Sequence, residues 1–218
     1  MAKSIACQPG RRLTLSAAAA FTALALFAVT GCDSRNAPSS GMTNSSAFKA
    51  VDITGADYAR SLNLLDVDGV KRDLPDFKGK VTVVFFGFTQ CPDVCPSTLL
   101  ELAEVKAELG ADGERVQGVF VTIDPERDTP QVLKAYVANF GADFVALRGT
   151  MEETKAVAKH FKVYFAKVPG RAEGSYTMDH TAGSYVFDAQ GRIRLFTRYG
   201  TGPEALMHDL KLLLNEAA

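Results

Sequence analysis

Residues 81–86, Val-Thr-Val-Val-Phe-Phe, are β-branched or aromatic at every position and carry no charge. A strand with one wet face would alternate apolar and polar residues. An unbroken run of this kind therefore predicts an interior strand covered on both faces, which requires helices above and below a largely parallel sheet. The segment that follows, F-G-F-T-Q-C-P-D-V-C-P at residues 86–96, leads into apolar positions at Leu99, Leu102, Val105 and Leu109, the period of an amphipathic helix that ends at Gly110. Two thiols, Cys91 and Cys95, thus stand where a strand hands over to a helix N-terminus. The uncapped N–H groups there favour negative charge, and thiolate is the reactive and metal-binding form of cysteine.

Pro96 disfavours the α conformation at Cys95 and supplies a natural first helical residue, which predicts Cys95 at or near the N-cap. Pro92 holds Cys91 extended in the same way. In the field of the helix end the thiol pKa is expected to fall from ~8.5 by a unit or more. The pair can close into a disulfide if the Cα atoms come within about 7 Å, or hold one soft cation between two thiolates. A permanent structural disulfide is the weaker reading, because so short a loop removes little chain entropy.

The remaining pattern extends the α/β reading. Residues 62–65 and 70–72 flank Asp68-Gly69, the dipeptide of a tight hairpin. Residues 116–123 form a second buried strand. Thr129-Pro130 opens a helix to Phe140, capped by Asp128 or Thr129. A strand at 144–147, a helix at 152–161, a hairpin whose arms 183–188 and 192–197 bracket Ala189-Gln190-Gly191, and a helix at 203–215 complete the order. A thiol pair after the first central strand of a β-α-β unit, followed by a terminal β-β-α, predicts a thioredoxin-like α/β fold: a central mixed sheet with an added N-terminal β-hairpin.

The first 31 residues read as an address. Lys3, Arg11 and Arg12 precede an apolar run, residues 13–29, opened by Leu13 and closed by Val29. Val29-Thr30-Gly31-Cys32 resembles a bacterial lipobox, in which Cys32 is lipidated and becomes the first mature residue; Asp33 after it resembles a signal for retention in the inner membrane. The other reading is an uncleaved transmembrane anchor, for which the run is long enough. Either one holds a domain, residues 51–218, at the periplasmic face of the inner membrane through a flexible Ser-, Asn-, Gly- and Ala-rich tether at 32–50. Of the four cysteines, Cys7 would leave with the signal and Cys32 would carry lipid. Cys91 and Cys95 are then left with only each other in an oxidising compartment. A formal net charge of −1 and the lack of a basic run argue against nucleic-acid binding.

A metal would need further ligands, and the chain has three histidines. His180, in Tyr-Thr-Met-Asp-His-Thr just ahead of the strand at 183–188, lies on a loop that a thioredoxin-like sheet brings beside the thiols. Two thiolates and one imidazole favour Cu(I), which accepts three-coordination more readily than zinc; zinc would want a fourth ligand, with Asp93 as the nearby choice. The alternative for His180 is a loop histidine hydrogen-bonded by Asp179. His160, at a predicted helix end that suits an imidazolium, and His208, inside the last helix, read as structural or solvated. Met178 reads as core filling ahead of a soft neighbour.

Three motifs in order, F-F-G-F-T-Q-C-P-D-V-C-P at residues 85–96, T-I-D-P-E-R-D-T-P at 122–130 and D-H-T at 179–181, give a chain that resembles the Sco/SenC family of copper proteins. The resemblance implies a thioredoxin-like fold and a copper metallochaperone that assists assembly of the binuclear copper site of cytochrome c oxidase. It implies Cys91, Cys95 and His180 as ligands of Cu(I), and in some states Cu(II), with Cys91 and Cys95 as the redox-active pair. The implied partners are the oxidase subunit carrying that site and other copper chaperones or thiol reductases. The implied role is that of a carrier rather than an enzyme. The alternative is a periplasmic thiol-disulfide oxidoreductase that keeps the acceptor's thiols reduced. Three residues between the cysteines, where thioredoxins have two, and no proline directly before Gly183 weaken it. A thiol peroxidase fits less well, since Thr89 lies two residues before Cys91 and the peroxiredoxin pattern places its Thr three before. The segment 124–130 is accounted for locally by a strand end and a capped helix, and receives no ligand.

Overall fold

The computed structural model describes residues 47–216. The leader, Cys7, Cys32, Asp33 and the tether up to residue 46 lie outside the described residues.

In chain order, the elements are β1 (Val51–Asp52), β2 (Leu64–Asp66), β3 (Lys71–Arg72), β4 (Val81–Gly87), α1 (Val94–Glu108), β5 (Val116–Thr122) and α2 (Pro130–Val137). They continue with β6 (Val145–Arg148), α3 (Met151–His160), β7 (Phe165–Pro169), β8 (Tyr176–His180), β9 (Gly183–Phe187), β10 (Ile193–Arg198) and α4 (Pro203–Glu216). Every residue of β4 and of β5 is buried, as their uninterrupted apolar runs require. They pair in parallel from Val81 opposite Val116 to Gly87 opposite Thr122, with α1 as the crossover. On its other edge β4 pairs antiparallel with β9, which pairs with β10. The order β10-β9-β4-β5, closed by α4, is the thioredoxin-like arrangement expected from the sequence. β6 extends the sheet in parallel, the β2–β3 hairpin pairs antiparallel onto β6, and β1 pairs with β10. The result is one eight-stranded mixed sheet.

Both predicted hairpin turns are built by the same device. Asp66 Oδ1 accepts the N–H groups of Asp68 (3.0 Å) and Val70 (2.9 Å), and its Oδ2 pairs with Arg72. Asp188 Oδ1 accepts those of Gln190 and Arg192 (both 3.0 Å), and its Oδ2 pairs with Arg192. The buried carboxylate satisfies the turn amides that no ladder reaches, while Gly69 and Gly191 take the positive φ values, 80° and 78°.

Of the two candidate caps for α2, Thr129 does the work, its hydroxyl accepting from Val132 N–H with Pro130 in the first turn. That releases the Asp128 side chain for other partners. α2 ends at Val137, short of the expected Phe140, because Asn139 Nδ2 turns back to donate to the carbonyls of Ala135 (2.9 Å) and Tyr136 (3.0 Å) and closes the last turn. At the N-terminal edge, Asp209 of α4, 1 % exposed, accepts the backbone N–H groups of Lys49 and Ala50, both at 2.8 Å.

The short edge strand β1 and one pair of strands near the site are unanticipated. β7 and β8 form a separate two-stranded ribbon, from Phe165 opposite His180 to Pro169 opposite Tyr176, with no hydrogen-bonded place in the main sheet. His180 is therefore the last residue of a strand, where the sequence pattern indicates a loop.

Candidate metal centre

α1 begins at Val94 with Asp93 as its N-cap, so Cys95 lies inside the first turn, and the expectation of an extended Cys95 held off the helix by Pro96 is corrected. Pro96 occupies the third helical position, where a backbone N–H has no partner within the helix, and its ring therefore breaks no bond. Packing supplies the rest. Cys95 is fully buried, its Sγ seated on Gly87, where an added Cβ would lie 2.8 Å from the sulfur and 2.9 Å from the Phe85 and Phe120 rings. Asp93 makes no side-chain capping bond. Cys91 Sγ takes that role, accepting the Cys95 N–H at 3.4 Å, so one sulfur rests over the helix N-terminus and the other within it.

The buried sulfur reverses the second expectation. Loss of solvent pushes the Cys95 thiol up, reinforced by the neighbouring Cys91 and partly offset by a backbone hydrogen bond from Phe88. The helix end cannot outweigh a site this dry. A thiolate at Cys95 therefore needs a positive charge beside it.

His180 supplies the third donor. Its Nε2 lies 3.6 Å from Cys95 Sγ, and its Nδ1 is 3.0 Å from the carbonyl of Thr181. A carbonyl only accepts, so the proton sits on Nδ1 and the Nε2 lone pair faces the sulfur. Burial lowers the His180 pKa, which keeps the ring neutral. Phe85 and Phe88 meet the imidazole edge-on with centroids at 6.1 and 6.0 Å, fixing the ring plane. The partner of the ring is thus the Thr181 carbonyl, where the alternative reading of a loop histidine named Asp179.

The ligand atoms of Cys91, Cys95 and His180 all lie within 4.8 Å of one another. Bonds of about 2.3 Å to sulfur and 2.0 Å to nitrogen, as in zinc sites, separate S and N by about 3.5–3.7 Å around one ion. The 3.6 Å between Cys95 Sγ and His180 Nε2 falls in that interval. The donor set therefore fits a single soft cation. Asp93 is outside this group, its carboxylate accepting from Ser97 Oγ at 3.3 Å, which leaves three protein donors among the described residues. His160 accepts the Arg60 N–H at Nε2 (3.3 Å), and His208 Nδ1 contacts Asp209 at 2.9 Å; neither joins the group. Met178 is buried.

The segment 122–130 has more to do than cap a helix. Asp128, fully buried, accepts from Thr89 Oγ1 (2.6 Å), Thr89 N–H (3.2 Å) and Thr122 Oγ1 (2.5 Å), which pins the loop leading to Cys91 onto the end of β5. Burial raises the Asp128 pKa, and the threonine bonds pull it partly back. Arg127 pairs with buried Asp124, donates from Nη1 to Gln90 Oε1 (3.0 Å) and the Tyr176 carbonyl (2.9 Å), and stacks 3.7 Å from the centre of the Tyr176 ring. Tyr176 Oη returns a bond to Asp124 Oδ1 at 2.9 Å. Sequence reasoning assigned none of these residues to the site. The available signal was the density of two Asp and one Arg in five residues at a strand end.

Residues 51–215 match the family model described as SCO1/SenC. An SCO2-like protein of Rickettsia felis is 36 % identical over 149 residues, which cover 68 % of this chain and 73 % of that protein. Among solved structures, Bradyrhizobium japonicum ScoI with copper bound is 40 % identical, with a TM-score of 0.64 over 70 % of this chain and 97 % of that one. The apo Sco1 protein from Thermus thermophilus is 36 % identical, with a TM-score of 0.68 over 76 % and 96 %.

Proposed function

The chain belongs to the SCO1/SenC family, and from that premise we propose that it is a copper carrier that binds the ion through Cys91, Cys95 and His180 and delivers it to the copper site of cytochrome c oxidase. The observation that carries this reading is the convergence of two sulfurs and one lone-pair nitrogen within 4.8 Å, with no fourth donor in the group. Soft donors in threes suit Cu(I), the cargo of the reaction.

The chemistry follows from the protonation states. Nε2 of His180 is already deprotonated and aimed at Cys95. Cu(I) arriving between the sulfurs displaces the two thiol protons to solvent, and its charge compensates the thiolate that burial otherwise disfavours at Cys95. Cys91 is partly exposed and Cys95 buried, so an incoming thiolate of an acceptor reaches the ion from the Cys91 side. Exchange then runs ligand by ligand: one acceptor sulfur bonds as Cys91 leaves and takes up a proton, and a second acceptor donor bonds as Cys95 leaves, likewise taking up a proton, and His180 Nε2 lets go. Copper keeps its oxidation state throughout.

A second reading, reduction of an acceptor's disulfide, is favoured by the same exposure of Cys91. Its thiolate would attack one sulfur of the acceptor, and Cys95 would then resolve the mixed disulfide, leaving a Cys91–Cys95 disulfide and two thiols on the acceptor. The two electrons come from the cysteine pair. Both readings use a domain held at the periplasmic face of the inner membrane, anchored through Cys32 lipid or the run at 13–29. No helix among the described residues is long and apolar enough to cross a membrane.

His180→Ala separates the readings. Anaerobic Cu(I) titration against a competing chelator is expected to register a loss of affinity, while disulfide exchange by Cys91 and Cys95 largely survives. Unchanged copper affinity would strike His180 from the ligands.

A further inference from the structure

The donors come from two pieces of backbone, which the main sheet brings near through the pairing of β9 with β4, with Thr181 and Ala182 between His180 and the start of β9. Cys91 and Cys95 follow β4, whereas His180 ends the β7–β8 ribbon, which is outside that sheet. At its base the ribbon is tied by Tyr164 and Thr181, through Thr181 N–H to the Tyr164 carbonyl and Tyr164 N–H to Thr181 Oγ1, both at 3.0 Å. At the start of β8 it is tied by the loop between β5 and α2. There Arg127 grips the Tyr176 carbonyl, lies against the Tyr176 ring and reaches Gln90 beside Cys91, while Asp124 takes the Tyr176 hydroxyl. Glu126 adds an ion pair to Lys167 of β7 at 2.6 Å.

Resting on the copper-carrier reading, we propose that Arg127 is a positioning residue: it holds the ribbon so that His180 Nε2 stands at bonding range of the thiol pair. The alternation along β8 explains how a grip at Tyr176 reaches the imidazole. Tyr176, Met178 and His180 share one face of the strand, and all three are buried or half-buried while Thr177 and Asp179 are exposed. Fixing Tyr176 at one end and burying Met178 in the middle leaves the ring at the other end with one placement. Lysine would restore the charge opposite Asp124 and not the fork that bonds Gln90, Tyr176 and Asp124 together.

The test uses the folded, metal-free protein and its copper complex. Arg127→Gln is expected to speed amide hydrogen exchange in residues 176–180 of the metal-free protein, with β4 and β5 unaffected, and to weaken Cu(I) binding about 10- to 100-fold, the usual cost of losing a partner that orients a ligand. In the His180→Ala background the same substitution is expected to add no further loss, because the effect acts through His180; a general weakening of the fold would add to both backgrounds. Wild-type exchange in the ribbon, undiminished affinity of Arg127→Gln, or equal losses in both backgrounds would each overturn the inference. Wild-type affinity in His180→Ala would instead overturn the ligand assignment, and the exchange measurement would still decide whether Arg127 holds the ribbon. If Arg127→Gln fails to fold, Tyr176→Ala, which removes the ring under the guanidinium, is expected to give the same three results.

Discussion

Gly87 is the position at which a single methyl group would test the seat of the buried sulfur. Its φ is outside the positive range, so alanine there meets no backbone strain. The obstacle is space: the new Cβ would lie 2.8 Å from Cys95 Sγ and 2.9 Å from ring carbons of Phe85 and Phe120. Comfortable contacts of this kind are about 3.5–4.0 Å, so the neighbours must retreat by roughly 0.6 Å or more. Phe85 and Phe120 are themselves buried and packed on each other with centroids 6.3 Å apart, which leaves the sulfur, in contact with the His180 ring at 3.6 Å, as the group to be displaced. Overpacking of this size costs about 1–3 kcal/mol, and at about 2–4 °C per kcal/mol for a domain of this length the melting temperature should fall by about 2–12 °C. Gly87→Ala should also weaken Cu(I) binding, since a displaced Sγ distorts the 3.6 Å spacing to Nε2. Calorimetry of the metal-free protein and a Cu(I) competition titration measure the two effects. A lowered melting temperature with wild-type affinity would mean that β4, rather than the sulfur, gives way, and would refute the reasoning.

Two further outcomes are expected. Asp128→Asn keeps the shape and loses one acceptor oxygen among three donors, so unfolding in urea should register a loss of about 1–3 kcal/mol; an unchanged midpoint would refute the pinning of Thr89. His180 has its pKa lowered in the fold from an ordinary value of 6.5, so the unfolded chain binds the proton first; stability contributed by the neutral ring is present above pH 6.5 and is lost as pH falls through the folded value. The metal-free protein should therefore lose stability on acidification below about pH 6.5, and His180→Gln should flatten that slope.

The central strands were readable because burial on both faces leaves a mark in each residue, as in 81–86. The two tight hairpins were readable because Asp68-Gly69 and Gly191 answer a local demand for positive φ. Convergence of Cys91, Cys95 and His180 was inferred from topology, not from spacing, and it needed the β9 neighbour of β4. The ribbon escaped because Lys167, Val168 and Pro169 blur its alternation, although Tyr-x-Met-x-His on β8 is a period-two pattern in plain view. The start of α1 and the direction of the Cys95 shift escaped for a shared reason. Local rules for a residue before proline and for a thiol at a helix end both gave way to burial against Gly87, which no window of sequence reports. The Arg127 network joins residues 90, 124 and 176, and such long-range pairing leaves no periodic trace.

The carboxylate of Asp209 has a mechanical consequence. A pull along the chain ahead of Lys49 would otherwise be borne by β1, two residues long and paired only to β10, which can be peeled one bond at a time. With the amides of Lys49 and Ala50 both fastened to α4, the load passes into the terminal helix and from there into the core through Leu206, Leu210 and Leu213. A pull ahead of Lys49 thus loads α4 and the core before β1 can be peeled.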